Sequence, residues 1–473
     1  MKILLIYPPF PSGKGMGAII CSPPLNVLTL AGVITEHTVD ILDLNVDKSY
    51  GIKEMEKRLV NYDLVGITCM SPTFRIVLNI CKLAKRNNVK TVLGGFHPTL
   101  DPSIIDKYES IDMIVRGEGE ITFKELLDGK PKKEILGLSY RENGKVYHNP
   151  DRPFLKNLDE LPFPRNELVD PSPYQYTWMP SWVCETSRGC PFTCSFCCVH
   201  EFYKRTYRTK TPERVIKELY QVPSQTKLVF FVDDNFTLNK KRVMRICKLL
   251  KKSRLNKKLM FVCQSRVDDI ANNPDMVKEM HESGFICFFL GFESLKQVSL
   301  DEMKKAYSLD KVRKCIDICH YNGIIVFGSF IIGNIGETKE DTLTNFRLMK
   351  EVEIDFMMTN PITPFPGTQL YTEAVEKGWV EKDFKWADRK VGQVKPPMST
   401  PDLTQDDIQE LLMESYHSFY GMEYHLKKSI RGIFRYYPSF NWTFKHLPRF
   451  LKGAIQFVRN LDEIVGDEYK AID

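Results

Sequence analysis

No apolar run in this chain is long enough to cross a bilayer. The two longest, residues 285–292 and 324–333, fall well short of the roughly 18 residues a spanning helix needs and read as buried strands. The first strand leads into Tyr7-Pro8-Pro9-Phe10 instead of G-x-G-x-x-G, which makes a dinucleotide a poor candidate for the N-terminal region. The string D-x-H-x-x-G is also missing. Its nearest approach, Glu279-Met280-His281-Glu282-Ser283-Gly284, starts with glutamate and lies far down the chain. No second C-x2-C hook accompanies the one at Cys194 and Cys197, which weighs against zinc. With no signal-peptide pattern, the thirteen cysteines are expected to stay reduced in a cytoplasmic compartment. A net charge of +6 over 473 residues is too mild to imply nucleic acid.

The most informative feature present is the run Ser187-Arg188-Gly189-Cys190-Pro191-Phe192-Thr193-Cys194-Ser195-Phe196-Cys197. Three thiols at C-x3-C-x2-C spacing fold around one iron–sulfur cluster, and four irons with three cysteines leave one iron open to a substrate or cofactor. A zinc knuckle competes, because Cys198 adds a fourth thiol next door.

The chain is long enough for about three domains. Its 43% apolar and 27% charged residues are those of an ordinary globular protein. Residues 1–130 alternate strands (2–7, 39–42, 64–68, 91–93, 112–115) with helices such as 52–62 and 74–85, the pattern of an α/β domain with a doubly wound parallel sheet. Ligands of such sheets sit beyond the carboxyl ends of the strands. Those ends carry Thr68-Cys69-Met70-Ser71, Gly94-Gly95-Phe96-His97-Pro98-Thr99 and Arg116-Gly117-Glu118-Gly119-Glu120. Residues 131–175 read as a linker: Glu142-Asn143-Gly144 signals a hairpin, and Pro153, Pro162, Pro164, Pro171 and Pro173 stiffen the path onward. Over 176–377 the alternation resumes six times, with strands near 183, 228–232, 259–264, 288–291, 324–332 and 356–362. Six units suit a partial (β/α)6 barrel, whose chemistry gathers at the C-terminal strand ends. Residues 378–473 form a mainly helical region, with Thr404-Gln405-Asp406-Asp407 capping a helix over 408–420.

The barrel's strand ends are polar. Asp233-Asp234 suits a cation or a helix N-cap. Arg266, in Gln264-Ser265-Arg266, suits a carboxylate taken bidentately or a surface salt bridge. An inward Glu293 would be costly without a partner. Arg205, Arg208 and Glu213 follow the cysteine run and read as a ligand-facing stretch or a solvated turn.

Taken together, the cysteine run, the strand-end glycines and Gly117-Glu118-Gly119-Glu120 resemble the cobalamin-dependent radical S-adenosylmethionine (SAM) enzymes, over roughly residues 1–375. The resemblance implies a 4Fe–4S cluster on Cys190, Cys194 and Cys197, with the open iron chelating SAM and Cys198 left as a packing thiol. It implies SAM contacts at Asp233, Asp234, Gln264, Arg266, Glu293, Ser294 and Gly333. It implies cobalamin contacts at Ser71, Gly94, Gly95, His97, Gly117 and Glu118, held base-off because the D-x-H-x-x-G histidine is absent. His97 orders its loop or serves as lower axial ligand. The implied activity is reductive SAM cleavage, fed by a ferredoxin or flavodoxin, and modification of an unactivated carbon by methyl transfer, with cyclisation or C–C coupling as the alternative. A cobalamin- or cluster-binding sensor without turnover is the reading from another class.

From residue 424 to 461 there is no Asp or Glu, while Lys427, Lys428, Arg431, Arg435, Lys445, Arg449, Lys452 and Arg459 alternate with aromatics. Such a segment suits an anionic membrane surface, a nucleic acid or a basic cap on the barrel. The first is the working expectation, with a lipid or pigment-like substrate and no nucleic acid.

Overall fold

The structure is a computed structural model that describes residues 1–9, 20–47, 51–176, 179–305, 307–381, 384–389 and 396–420. Phe10, Trp178 and the basic segment 424–461 lie outside the described residues.

The N-terminal strands are β1 (Lys2–Tyr7), β2 (Ile20–Cys21), β3 (Thr38–Asp43), β4 (Leu64–Thr68), β5 (Lys90–Gly94), β6 (Met113–Val115), β7 (Leu138–Glu142) and β8 (Lys145–His148). All but β2 form one sheet in the order β3-β1-β4-β5-β6-β7-β8, parallel from β3 to β6. Alternate side chains on a strand face opposite ways. Ile3 and Leu5 of β1 therefore enter one core layer and Leu4 and Ile6 the other, which is why β1 reads as an unbroken apolar run.

The first half of the expected linker carries the hairpin that its turn signal predicts. Asn143 and Gly144 do make the hairpin turn, both with φ above zero, but β7 pairs antiparallel with β6, so the hairpin extends the first sheet. Helix 52–62 is shorter than expected, spanning Ile52–Leu59.

The second sheet adds β9 (Gln175–Tyr176), β10 (Met179–Cys184), a separate ribbon of β11 (Ser187–Arg188) and β12 (Arg208–Thr209), then β13 (Leu228–Phe231), β14 (Met260–Ser265), β15 (Phe285–Glu293), β16 (Ile325–Ile332) and β17 (Phe356–Pro361). Its order is β17-β16-β15-β14-β13-β10-β9-β2. The six expected barrel strands, β10 and β13 to β17, are all present and parallel. β2 reaches over from the N-terminal region to pair with β9, so backbone pairing crosses the expected boundary at 130. Residues facing the helices are buried. On the concave side Phe289, Phe327 and Phe356 fall in register, with ring centroids 4.9 and 6.2 Å apart, and make an aromatic floor.

The half-barrel ends at β17, whose free edge would leave backbone groups unpaired. Helix Gln405–Tyr420 covers it. Tyr420 Oη donates to the Met357 carbonyl (2.7 Å) and accepts the Met357 N–H (3.0 Å). Tyr416 Oη does the same at Thr359 (3.2 and 3.3 Å). The match is geometric: four helical residues rise about 6 Å and two strand residues about 6.6 Å. The helix starts as expected, with Asp407 N–H donating to Thr404 Oγ1 and Thr404 N–H to the Asp407 carboxylate. Tyr420→Phe strands two buried backbone groups and is expected to cost about 1–3 kcal/mol, read as a lower urea midpoint. An unchanged midpoint would show that the hydroxyl caps nothing.

Candidate active site

The cysteine run leaves β10 and is closed by the ribbon, in which Arg188 stands opposite Arg208 and Ser187 opposite Thr209. Gly189 has φ +85, and a Cβ there would collide with the Thr206 carbonyl, so only glycine fits the turn. Inside the loop, Cys197 N–H donates to the Cys194 carbonyl (3.0 Å) and Ser195 N–H to that of Met303 (3.3 Å). Cys194 is buried and Cys190 and Cys197 are half-buried. Burial pushes the Cys190 and Cys197 thiols up, so a metal that binds them must displace their protons.

The two neighbouring aspartates part company. The buried carboxylate of Asp233 accepts the Thr186 N–H (2.6 Å), the Thr186 hydroxyl and the Ser187 hydroxyl (2.6 Å). It holds the approach to the cysteine loop. Asp234 accepts the Gly189 N–H (3.1 Å) and lies close enough to Cys190, Cys197 and Cys198 to act on their charge. Burial pushes its carboxyl up to about 7.

Arg266 lies over the Phe192 ring, 3.6 Å from its centroid. Its Nε donates to Asp268 (3.0 Å), Nη1 approaches Cys194 Sγ (3.9 Å), and Nη2 is buried with no partner among the described residues. Glu293 sits at a register shift between β15 and β16 with φ +64, a bulge that re-aims its side chain. There it meets Lys305 Nζ at 2.7 Å, both side chains buried. Lys305 is the residue sequence reasoning missed. Nothing local distinguishes it from Lys304, which is exposed and bonds Gln369, whereas Lys305 also reaches the Gly291 carbonyl (3.3 Å) and feels Cys194.

Gln264 is half-buried, in register with Phe289. The Ser294 hydroxyl donates to Glu337 (2.5 Å). Gly333 has φ +87 and is covered, since a Cβ there would meet Ile408 at 2.8 Å.

At the carboxyl ends of the first sheet, Ser71 Oγ and His97 Nδ1 are 2.9 Å apart and both buried, which ties two strand-end loops together. Burial pushes the His97 imidazole down to about 4, and its Nε2 has no partner among the described residues. Gly95, with φ +98, packs on the Cys69 carbonyl, while Gly94 has ordinary van der Waals room. Gly117 N–H donates to Thr99 (3.0 Å). The loops face the barrel: Phe96 packs on Phe202 with centroids 4.4 Å apart. Glu118 is occupied by protein, paired with Arg188 and Arg208. Arg208 is thus largely buried and engaged by protein, whereas Glu213 makes an exposed pair with Arg245.

Among the described residues no three His, Cys, Asp or Glu converge tightly enough for a single metal ion. Three thiols on one loop, with Asp234 and the partnerless Arg266 donor beside them, fit instead a multi-iron cluster whose ligands stand on separate irons. The strand-end loops, with Gly94 open and His97 tied to Ser71, fit a bulky ligand laid along backbone better than a free axial histidine.

Two family models fall on these two units: the B12 binding domain over residues 20–127 and the Radical SAM superfamily over residues 184–349. The chain belongs to the cobalamin-dependent radical SAM enzymes, whose cofactors are a 4Fe–4S cluster, SAM and cobalamin. It is similar to an uncharacterised methyltransferase of Pyrococcus horikoshii, 34% identical over 92% of this chain and 99% of that protein. It is also similar to the anaerobic magnesium-protoporphyrin IX monomethyl ester cyclase of Rubrivivax gelatinosus, 28% identical over 89% and 77%. The fold matches that of the radical SAM methyltransferase TsrM from Kitasatospora setae, solved with cobalamin and a 4Fe–4S cluster bound, with a TM-score of 0.67, 15% identity and coverage of 89% and 88%.

The divided roles of the aspartates can be measured on metal-free protein. Asp233→Asn removes the charge from three hydrogen bonds and is expected to cost about 1.5–3 kcal/mol. Asp234→Asn is expected to leave the urea midpoint unchanged or raise it, since it relieves a buried carboxylate. Equal losses in both would refute the division.

Proposed function

We propose that the chain is a C-methyltransferase acting on an unactivated carbon of a hydrophobic, lipid or pigment-like substrate. What supports the reading is the meeting of two ligand-facing edges: the cysteine loop of the barrel and the strand-end loops of the first sheet, in contact through Phe96 and Phe202. When bound, the cluster and SAM supply a hydrogen-abstracting radical and cobalamin supplies the methyl group.

The chain's own residues divide the remaining work. Cys190, Cys194 and Cys197 hold the cluster. Asp234 faces the SAM ammonium, the free Nη2 of Arg266 its carboxylate, and Glu293, steadied by Lys305, its ribose. Gln264 lines the same concave side, while Asp233, Ser294 and Gly333 act by holding the loops that present these groups. Ser71, Gly94, Gly95, His97 and Gly117 line the cobalamin. The floor of Phe289, Phe327 and Phe356 offers an apolar surface below. A ferredoxin or flavodoxin supplies electrons. Cyclisation is the second reading, favoured by the Rubrivivax relative.

The test is anaerobic reconstitution. The wild type should hold one 4Fe–4S cluster and form 5′-deoxyadenosine, and the Cys190/Cys194/Cys197→Ala variant should do neither. His97→Ala should still bind base-off cobalamin. Mass spectrometry of lipids and pigments from cells with and without the protein then separates a methyl gain from a two-hydrogen loss. A full cluster in the triple variant would end the assignment.

We also infer a cytoplasmic, membrane-peripheral location. No described helix is long and apolar enough to cross a membrane, and each of the eight basic residues in 424–461 near an anionic surface contributes about 1 kcal/mol. Liposome co-sedimentation should rise with anionic lipid, weaken with salt and fail when Lys427, Lys428, Arg431 and Arg435 become Glu. Equal binding to neutral vesicles would leave the segment a structural cap.

A further inference from the structure

We propose that Glu118, on the cobalamin side of the molecule, is a positioning residue for the iron–sulfur loop on the other side, and that docking of the first sheet is what keeps that loop closed. The proposal rests on the cluster reading above.

The ribbon β11–β12 joins the two ends of the loop, and it does so with like charges facing each other. Arg188 and Arg208 are cross-strand partners, and like charges directly opposite on paired strands repel. Glu118 relieves this. Its Oε1 accepts from Arg188 Nη1 (2.9 Å) and Arg208 Nη2 (3.0 Å), and its Oε2 from Arg208 Nη1 (2.9 Å) and the Leu155 N–H (3.2 Å). The site is dry: the side chains of Arg188, Glu118 and Arg208 are 7, 10 and 12% exposed.

The two arginines do not depend on Glu118 equally. Arg188 also holds Glu120 (2.6 Å) and Glu185 (2.8 Å). Among the described residues Arg208 has no other carboxylate, only the Leu155 carbonyl (2.8 Å) and the faces of Phe154 and Tyr203. Removing the Glu118 charge therefore leaves a buried, uncompensated cation at the exit of the loop, and an uncompensated buried charge is strongly destabilising. Opening the ribbon, which lets Arg208 reach water, relieves it. Cys190 lies two residues beyond Arg188, so an open ribbon exposes the cluster.

Two rates measure this. In reconstituted protein, iron release to an excess of bathophenanthroline under anaerobic conditions should be about tenfold faster in Glu118→Gln than in wild type. In metal-free protein, trypsin cleavage after Lys204 and Arg205 should accelerate to a similar degree. The Glu118→Gln/Arg208→Met double variant, which removes the stranded cation, should recover most of both losses, and Glu213→Gln, at the exposed pair with Arg245, should change neither. Wild-type rates in Glu118→Gln, or a double variant no slower than the single one, would overturn the proposal. So would weaker cobalamin binding in Glu118→Gln with both rates unchanged, which would return Glu118 to the cobalamin site. A wild type that assembles no cluster would instead refute the cluster reading, and the trypsin comparison would still decide the role of Glu118.

Discussion

Burial of charge between the two sheets is the constraint around which the molecule is arranged. Taking an ion out of water costs several kcal/mol unless it is paired and hydrogen-bonded. At this joint Glu118 and Glu120 of the first unit meet Arg188 and Arg208 of the second, Glu185 joins Arg188, and within the second unit Glu218 holds Lys210 and Arg214. The sheets are therefore registered by charge, and the cysteine loop and the strand-end glycines inherit their relative placement.

Much of the architecture was legible in the chain because it rests on local pattern. Strand–helix alternation marked the parallel strands of both sheets, and the spacing of Cys190, Cys194 and Cys197 marked the loop. What escaped depends on pairing at long range. The hairpin at 138–148 has a turn signal, but nothing in it says that β6 will accept it. Glu118 looks like a ligand contact until Arg208, ninety residues later, is seen to take both of its oxygens. Lys305 and Lys304 are indistinguishable as sequence, and only the bulge at Glu293 selects which one turns inward. Gly333 was expected to meet SAM, and in the structure the group packed against it is Ile408, seventy-five residues later.

The charged groups around the cysteines divide into settled and unsettled ones. Asp233 has both carboxylate oxygens engaged by Thr186 and Ser187. Lys305 and Glu293 neutralise each other at 2.7 Å. Asp234 and Arg266 are the exceptions, one a carboxylate pushed up to about 7 and the other a guanidinium with a buried donor unused. Perturbed and unsatisfied groups gathered beside three thiols are the physical mark of a functional site rather than of a structural ion pair. The positive φ of Glu293 stores strain of about 1–3 kcal/mol, held in place by the same pair.

The seal along β17 is made by phenol hydroxyls. A neighbouring strand would have to match β17 residue by residue, whereas two hydroxyls one helical turn apart need only arrive at the right spacing. The covering helix is held through its inner face, where Ile408, Leu411, Leu412 and Phe419 are buried with the two tyrosines, while its outward face takes no part in the seal. A closure made through side-chain oxygens asks of its helix the right spacing and a buried inner face, so the outward face can change without disturbing the strand beneath it.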